Sequence, residues 1–135
     1  MELIIVITIF SIFAGMTTTV YYSTKSHTNI ELATGSVVEA IRFAQSSAQS
    51  GKGDSKWGVK VLPNQIIVFK GDSYASRDVS FDGIFDFPGG ITSSGLSEIV
   101  FEKVVGTTVT VGTLILSNNS ENRNISVNEK GTVNY

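Results

Sequence analysis

The sequence predicts an α+β fold: a long apolar N-terminal α-helix packed on a small antiparallel, β-rich, sandwich-like head. Three observations predict it. Leu3 to Tyr22 is a run of twenty residues without a charge, LIIVITIFSIFAGMTTTVYY. Residues 30–48 carry apolar side chains at helical spacing. From about residue 56 the chain changes to short alternating runs broken by Gly, Asn and Asp. With 135 residues there is room for one modest globular domain and an appendage. The division by composition is 1–24 for the apolar helix, 25–52 for its amphipathic continuation and 53–135 for the head.

The first run has the length of a membrane span, since twenty helical residues rise ~30 Å, about one hydrocarbon core. A cleaved secretory signal fits poorly, because no Lys or Arg precedes Lys25. A buried helix of a small soluble domain fits poorly too, because the run is apolar all round. Glu2 stands out as a carboxylate at the head of this run. An ionisable group there is costly unless partnered, which makes it a functional candidate; it also reads as a helix-start charge favoured by the macrodipole. Gly15, Met16 and the β-branched Thr17–Val20 form a weak patch, open to a local melt or to continuous helix.

Ile30, Ala33, Val37, Ile41, Ala44 and Ala48 follow spacings of three and four, and so form one narrow helical stripe for packing on the head. Its small residues allow a sheet to approach closely. Leu32 and Phe43 project from nearly the opposite side, giving the helix a second apolar face. Ser50-Gly51-Lys52-Gly53-Asp54 is a Gly-rich helix exit.

The head reads as strands. Trp57, Val59 and Val61 alternate with Gly58 and Lys60, and Pro63-Asn64 turns the chain into Ile66–Phe69. Further runs are Val79–Phe85, Glu98–Lys103, Thr107–Val111, Thr113–Ser117, Ile125–Val127 and Thr132–Tyr135. The apolar phase shifts at Gly112, which reads as a turn or bulge.

The residue inventory argues against an enzyme. There is no cysteine, which excludes disulfides, thiolate nucleophiles and Cys-ligated zinc. The only histidine, His27, falls in a polar region, and no nucleophile–base–orienter set can be assembled around it. Phosphate-loop and zinc-protease motifs are absent. Asp72, Asp78, Asp82 and Asp86 form a loose acidic series, without the spacing of a calcium loop. No catalytic residue, metal ligand or cofactor is therefore expected. Asn118 and Asn124 begin N-x-Ser sequons. The formal net charge of −2 gives no general attraction to nucleic acid. Arg123 and Lys130 beside Glu121 and Glu129 make a poor phosphate-binding patch, so nucleic acid is not an expected partner.

Glu2-Leu3-Ile4-Ile5-Val6-Ile7-Thr8-Ile9-Phe10 resembles the start of mature type IV pilins and type II secretion pseudopilins. The order of later features is similar to the GspH/FimT branch: a helix rich in small residues, then Trp57-Gly58-Val59-Lys60-Val61, Gly112-Thr113-Leu114-Ile115-Leu116-Ser117 and Asn124-Ile125-Ser126-Val127. The sequence departs from the family in giving Met1 alone ahead of the glutamate, where the family has four residues. The resemblance implies a structural subunit whose apolar helix lies in a membrane before assembly and in a filament core afterwards. Assembly residues would be Glu2, Leu3, Ile4, Ile5, Val6, Ile7, Phe10 and Phe13, with Glu2 pairing to the N-terminal amine of a neighbouring subunit. Expected partners are further copies in a helical filament, related pilins, the inner membrane and pilus assembly machinery, with the filament at the cell surface. The alternative is a membrane-anchored head that binds a surface ligand as a monomer.

Overall fold

The computed structural model describes the backbone of residues 2–135 and the side chains of 3–14, 25 and 27–135. The chain opens with α1 (Glu2–Gln49). Its side chains are described along two continuous helical stretches, one of 12 residues (3–14) and one of 23 (27–49). Among the described residues no helix is long and apolar enough to cross a membrane. This overturns the expectation of one long apolar helix acting as a membrane span. The apolar stretch whose side chains are described, 3–14, rises ~18 Å, against ~30 Å of hydrocarbon. The weak patch expected at Gly15–Thr19 lies outside the described side chains. The fold is mixed helix and sheet, with two antiparallel sheets.

The second stretch of α1 is held by its packing. Ile30, Ala33, Val37, Ile41, Ala44 and Ala48 are all fully buried, and Ala40 joins them. Both sheets touch this side of the helix, so the buried arc is wider than one narrow stripe. Thr34 falls within it and hides its hydroxyl by donating to the Ile30 carbonyl at 2.7 Å. The helix stops at Gln49 because Gly51 takes the left-handed conformation, φ 64°, that a residue with a side chain adopts at a cost. A 3₁₀ turn, Lys52–Asp54, then carries the chain into the head.

The strands are β1 (Trp57–Leu62), β2 (Gln65–Lys70), β3 (Asp78–Asp86), β4 (Thr92–Gly95), β5 (Glu98–Phe101), β6 (Gly112–Ser117), β7 (Asn122–Val127) and β8 (Val133–Asn134). One four-stranded sheet runs β3-β2-β1-β5 and the other β4-β6-β7-β8. In the first, Trp57 lies opposite Phe101 and Val59 lies between Val68 and Ile99, which sets an apolar inner face toward α1. In the second, Leu114 lies opposite Ile125, and both are buried. Thr107–Val111 does not form a strand: Val109 is 86% exposed. Thr92–Gly95 does form one, although its Thr-Ser-Ser-Gly sequence has no apolar alternation; backbone pairing to β6 holds it.

A strap covers the outer face of the first sheet. Tyr74, in the connection from β2 to β3, meets Phe69 edge-on with ring centroids 5.8 Å apart. Arg77 lies 3.9 Å over the Tyr74 ring and donates from Nε to both carboxylate oxygens of Asp82, at 3.0 and 2.9 Å.

Candidate functional site

The strongest departure from an ordinary globular surface lies on the first stretch of α1. Leu3, Ile4, Ile5, Val6, Ile7, Ile9, Phe10, Ile12 and Phe13 are each between 48 and 72% exposed. Residues 3–14 are exposed at every position, so the helix is bare on all sides rather than along one stripe. The stretch contains no charge, and its two polar side chains turn inward on the helix. Thr8 Oγ1 donates to the Ile4 carbonyl, and Ser11 Oγ donates to the Ile7 carbonyl at 2.8 Å. With both hydroxyl protons satisfied locally, the surface can enter a dry contact without stranding a donor. A contiguous apolar surface of this extent marks an interaction site. The resemblance implies that Glu2 registers this stretch; its side chain lies outside the described residues.

The sequence-derived helix stripe occupies the core, as described above, while Leu32 and Phe43 remain 57 and 46% exposed. Phe43 belongs to an aromatic cluster that sequence spacing does not reveal. It meets Trp57 edge-on at 6.4 Å, and Trp57 meets Phe81 of β3 at 6.3 Å. The Lys52 ammonium sits 5.4 Å from the Phe43 ring and 5.3 Å from the Trp57 ring, and Lys70 sits 4.3 Å from Phe81. The Trp57 indole donates to the Lys52 carbonyl at 2.8 Å, tying the helix exit to β1. Only the tertiary fold brings β3 and the helix exit together.

The acidic series disperses. Asp82 is engaged by Arg77, Asp72 lies 3.8 Å from Lys56, and Asp78 accepts from the Ser80 hydroxyl. That hydroxyl holds the Asp78 carboxyl below the usual carboxylate range. Asp54 is lowered likewise by the hydrogen bond from Lys103 at 2.7 Å, and Lys56 is raised by its 2.7 Å bond to Glu102. Among the described residues no three His, Cys, Asp or Glu side chains gather as a metal site. His27 is drawn into a polar knot: its Nδ1 lies 2.7 Å from Glu121, and Arg123 bridges Glu121 and Glu31 at 3.5 and 3.6 Å.

No protein-family model, curated protein or solved structure matches the chain. The case for a function rests on the arrangement itself. Among the described residues it contains an uncharged helical surface, exposed on every side, beside a well-packed head.

Proposed function

We propose that the chain is a structural subunit of a type IV pilus-like or secretion pseudopilus filament at the cell surface. Copies associate through the exposed apolar stretch of α1, and Glu2 sets their axial register. The observation that carries this reading is the stretch Leu3–Phe13, with nine large apolar side chains in solvent and both hydroxyls satisfied on the helix. Burying such surface is worth roughly 25 cal/mol per Å², a driving force that a monomer in water leaves unused. A carboxylate within an otherwise uncharged contact is expensive unless an ammonium meets it, and an incoming subunit's N-terminus would supply one. That requirement favours one axial offset over others.

The test is filament yield, measured by electron microscopy and quantitation of material sheared from cells. Ile7→Asp places a charge in the middle of the stretch and is expected to abolish filaments while the head stays folded. Glu2→Gln keeps the size of the side chain and removes its charge, and is expected to reduce yield severely when it is the only copy. Normal yield from Ile7→Asp would sink assembly through this stretch and favour a monomeric binding module. Normal yield from Glu2→Gln alone would sink only the registration role.

A further inference from the structure

The connection from β5 to β6 is a second surface, on the head and separate from the apolar stretch of α1. Val104 to Thr113 is a run of ten residues without a charge, VVGTTVTVGT. Within it Val104, Val105, Val109 and Val111 are 64, 63, 86 and 50% exposed, and Val109 is barer than any other large apolar side chain among the described residues. A single exposed valine is ordinary, but a series of them on one connection marks an interaction site. The frame that carries them is fixed. The Glu102 N–H donates to the Thr107 carbonyl, the Gly106 N–H to the Glu102 carbonyl, and the Val104 N–H to the Ala48 carbonyl at the end of α1, each at 2.8 Å. Val104 is held in the left-handed conformation, φ 70°, which a β-branched residue adopts only where its surroundings impose it. Past this turn the Thr108 N–H donates to the Glu129 carbonyl at 3.0 Å, and the Thr108 hydroxyl oxygen accepts from the Thr110 N–H at 3.1 Å.

Val109 borders a depression of about 430 Å³ whose other walls are Thr107, Thr108, Glu129 and Lys130. Glu129 and Lys130 are exposed, and among the described residues neither makes an ion pair. The charges at the start of the connection are already matched, Lys103 with Asp54 and Glu102 with Lys56. The depression therefore offers one apolar knob, one acid and one base, each without a mate, and that set is complementary to itself. A second copy turned about a two-fold axis through Val109 lays valine on valine and brings each Glu129 to the other copy's Lys130. The apolar stretch of α1 does not match this surface. It would cover the valine and leave both charges desolvated and unpaired.

We propose that the head pairs with the head of a second copy across Val109, with Glu129 and Lys130 forming reciprocal ion pairs between the copies. A two-fold contact closes on itself after two copies, whereas assembly along the apolar stretch repeats without closing. The two contacts are distinct, and either can fail without the other. With so few residues the head contact is a weak one, of the size of transient encounters, so covalent trapping reads it better than sedimentation.

The chain has no cysteine, so Val109→Cys introduces a single thiol. The experiment uses the full chain carrying it, dispersed in mild detergent that covers the apolar stretch, and oxidises it with copper phenanthroline. Covalent dimer is measured on non-reducing gels. A two-fold axis through Val109 holds the two introduced thiols within the reach of a disulfide, ~4.4–6.8 Å between Cα atoms. At ~0.1 mM protein, Val109→Cys is expected to dimerise about tenfold faster than Val105→Cys, whose thiol is exposed but meets its mate only by collision. Adding Glu129→Lys to Val109→Cys sets like charges across the axis and should lower the rate to the Val105→Cys level; adding Lys130→Glu as well should restore it. Ile7→Asp, which tests the apolar stretch, should leave the rate of Val109→Cys unchanged. An equal or greater rate for Val105→Cys would mean that the heads meet by chance or elsewhere. Failure of the double exchange to restore the rate would mean that the two charges do not pair, and a loss with Ile7→Asp would put the contact in α1. Each of these results would overturn the proposal.

Discussion

At Gly58 the missing side chain is a packing requirement. A Cβ built there would stand 2.5 Å from Phe69 Cζ and 2.7 Å from the Ile99 carbonyl oxygen. The ring could give way, but the carbonyl belongs to the neighbouring strand and cannot move without disturbing the ladder. Gly58→Ala is therefore expected to destabilise the head by about 1–3 kcal/mol, a fall in Tm of several degrees for a domain this size. Thermal unfolding by circular dichroism measures it, and an unchanged Tm would show that β1 and β5 can separate locally at little cost. Phe69 explains why the space is wanted: its ring lies across Gly58, under Tyr74 and its Arg77 cap.

The elements differ in how legible they were. The α1 stripe could be read because a period of 3.6 survives any tertiary context that buries one face, and its six residues are fully buried. Ile41 sits in the middle of it, so Ile41→Asp buries an unpaired carboxylate and should cost about 3 kcal/mol or more. A denaturant titration that left the midpoint unmoved would place the stripe elsewhere. Burial of Ala40 and Thr34 was not legible, because it requires knowing that two sheets wrap the same helix. β4 was missed because its stability comes from backbone pairing with Ser117 to Leu114, not from side chains. Thr107–Val111 misled in the opposite direction: β-branched residues favour a strand, but this segment finds no ladder and only the Thr108 N–H reaches a carbonyl, that of Glu129. The apolar N-terminal run was legible as an unusual surface, but absence of charge was over-read as a membrane span. Nothing in the sequence signalled the Phe43–Trp57–Phe81 cluster, since it is made by topology.

At the level of the whole molecule, the bare apolar stretch and the packed head are separable. Among the described residues, every member of the hydrophobic core lies at Ile30 or beyond. Deleting residues 1–25 is therefore expected to leave a monomeric head with the Tm of the full chain and no ability to form filaments. Sedimentation and calorimetry on the truncated protein test this, and a shortened chain that still polymerises would show that the head carries assembly. The closure of the head also depends on one side chain between its two halves. Gln45 Nε2 donates to the carbonyls of Gly106 and Lys130, both at 3.0 Å, pinning loops next to β5 and β8 to the same helical turn.

The single tryptophan has an optical consequence. Trp57 is 2% exposed, lies between Phe43 of the helix and Phe81 of β3, and is the only indole in the chain. Its emission therefore reports one joint, the docking of α1 on the first sheet, without a label. Blue-shifted fluorescence marks the docked state, and a red shift marks water reaching that joint. If the red shift precedes the loss of far-ultraviolet ellipticity on heating, the helix leaves the sheet before the strands part. Coincident transitions would mean that the two layers melt as one.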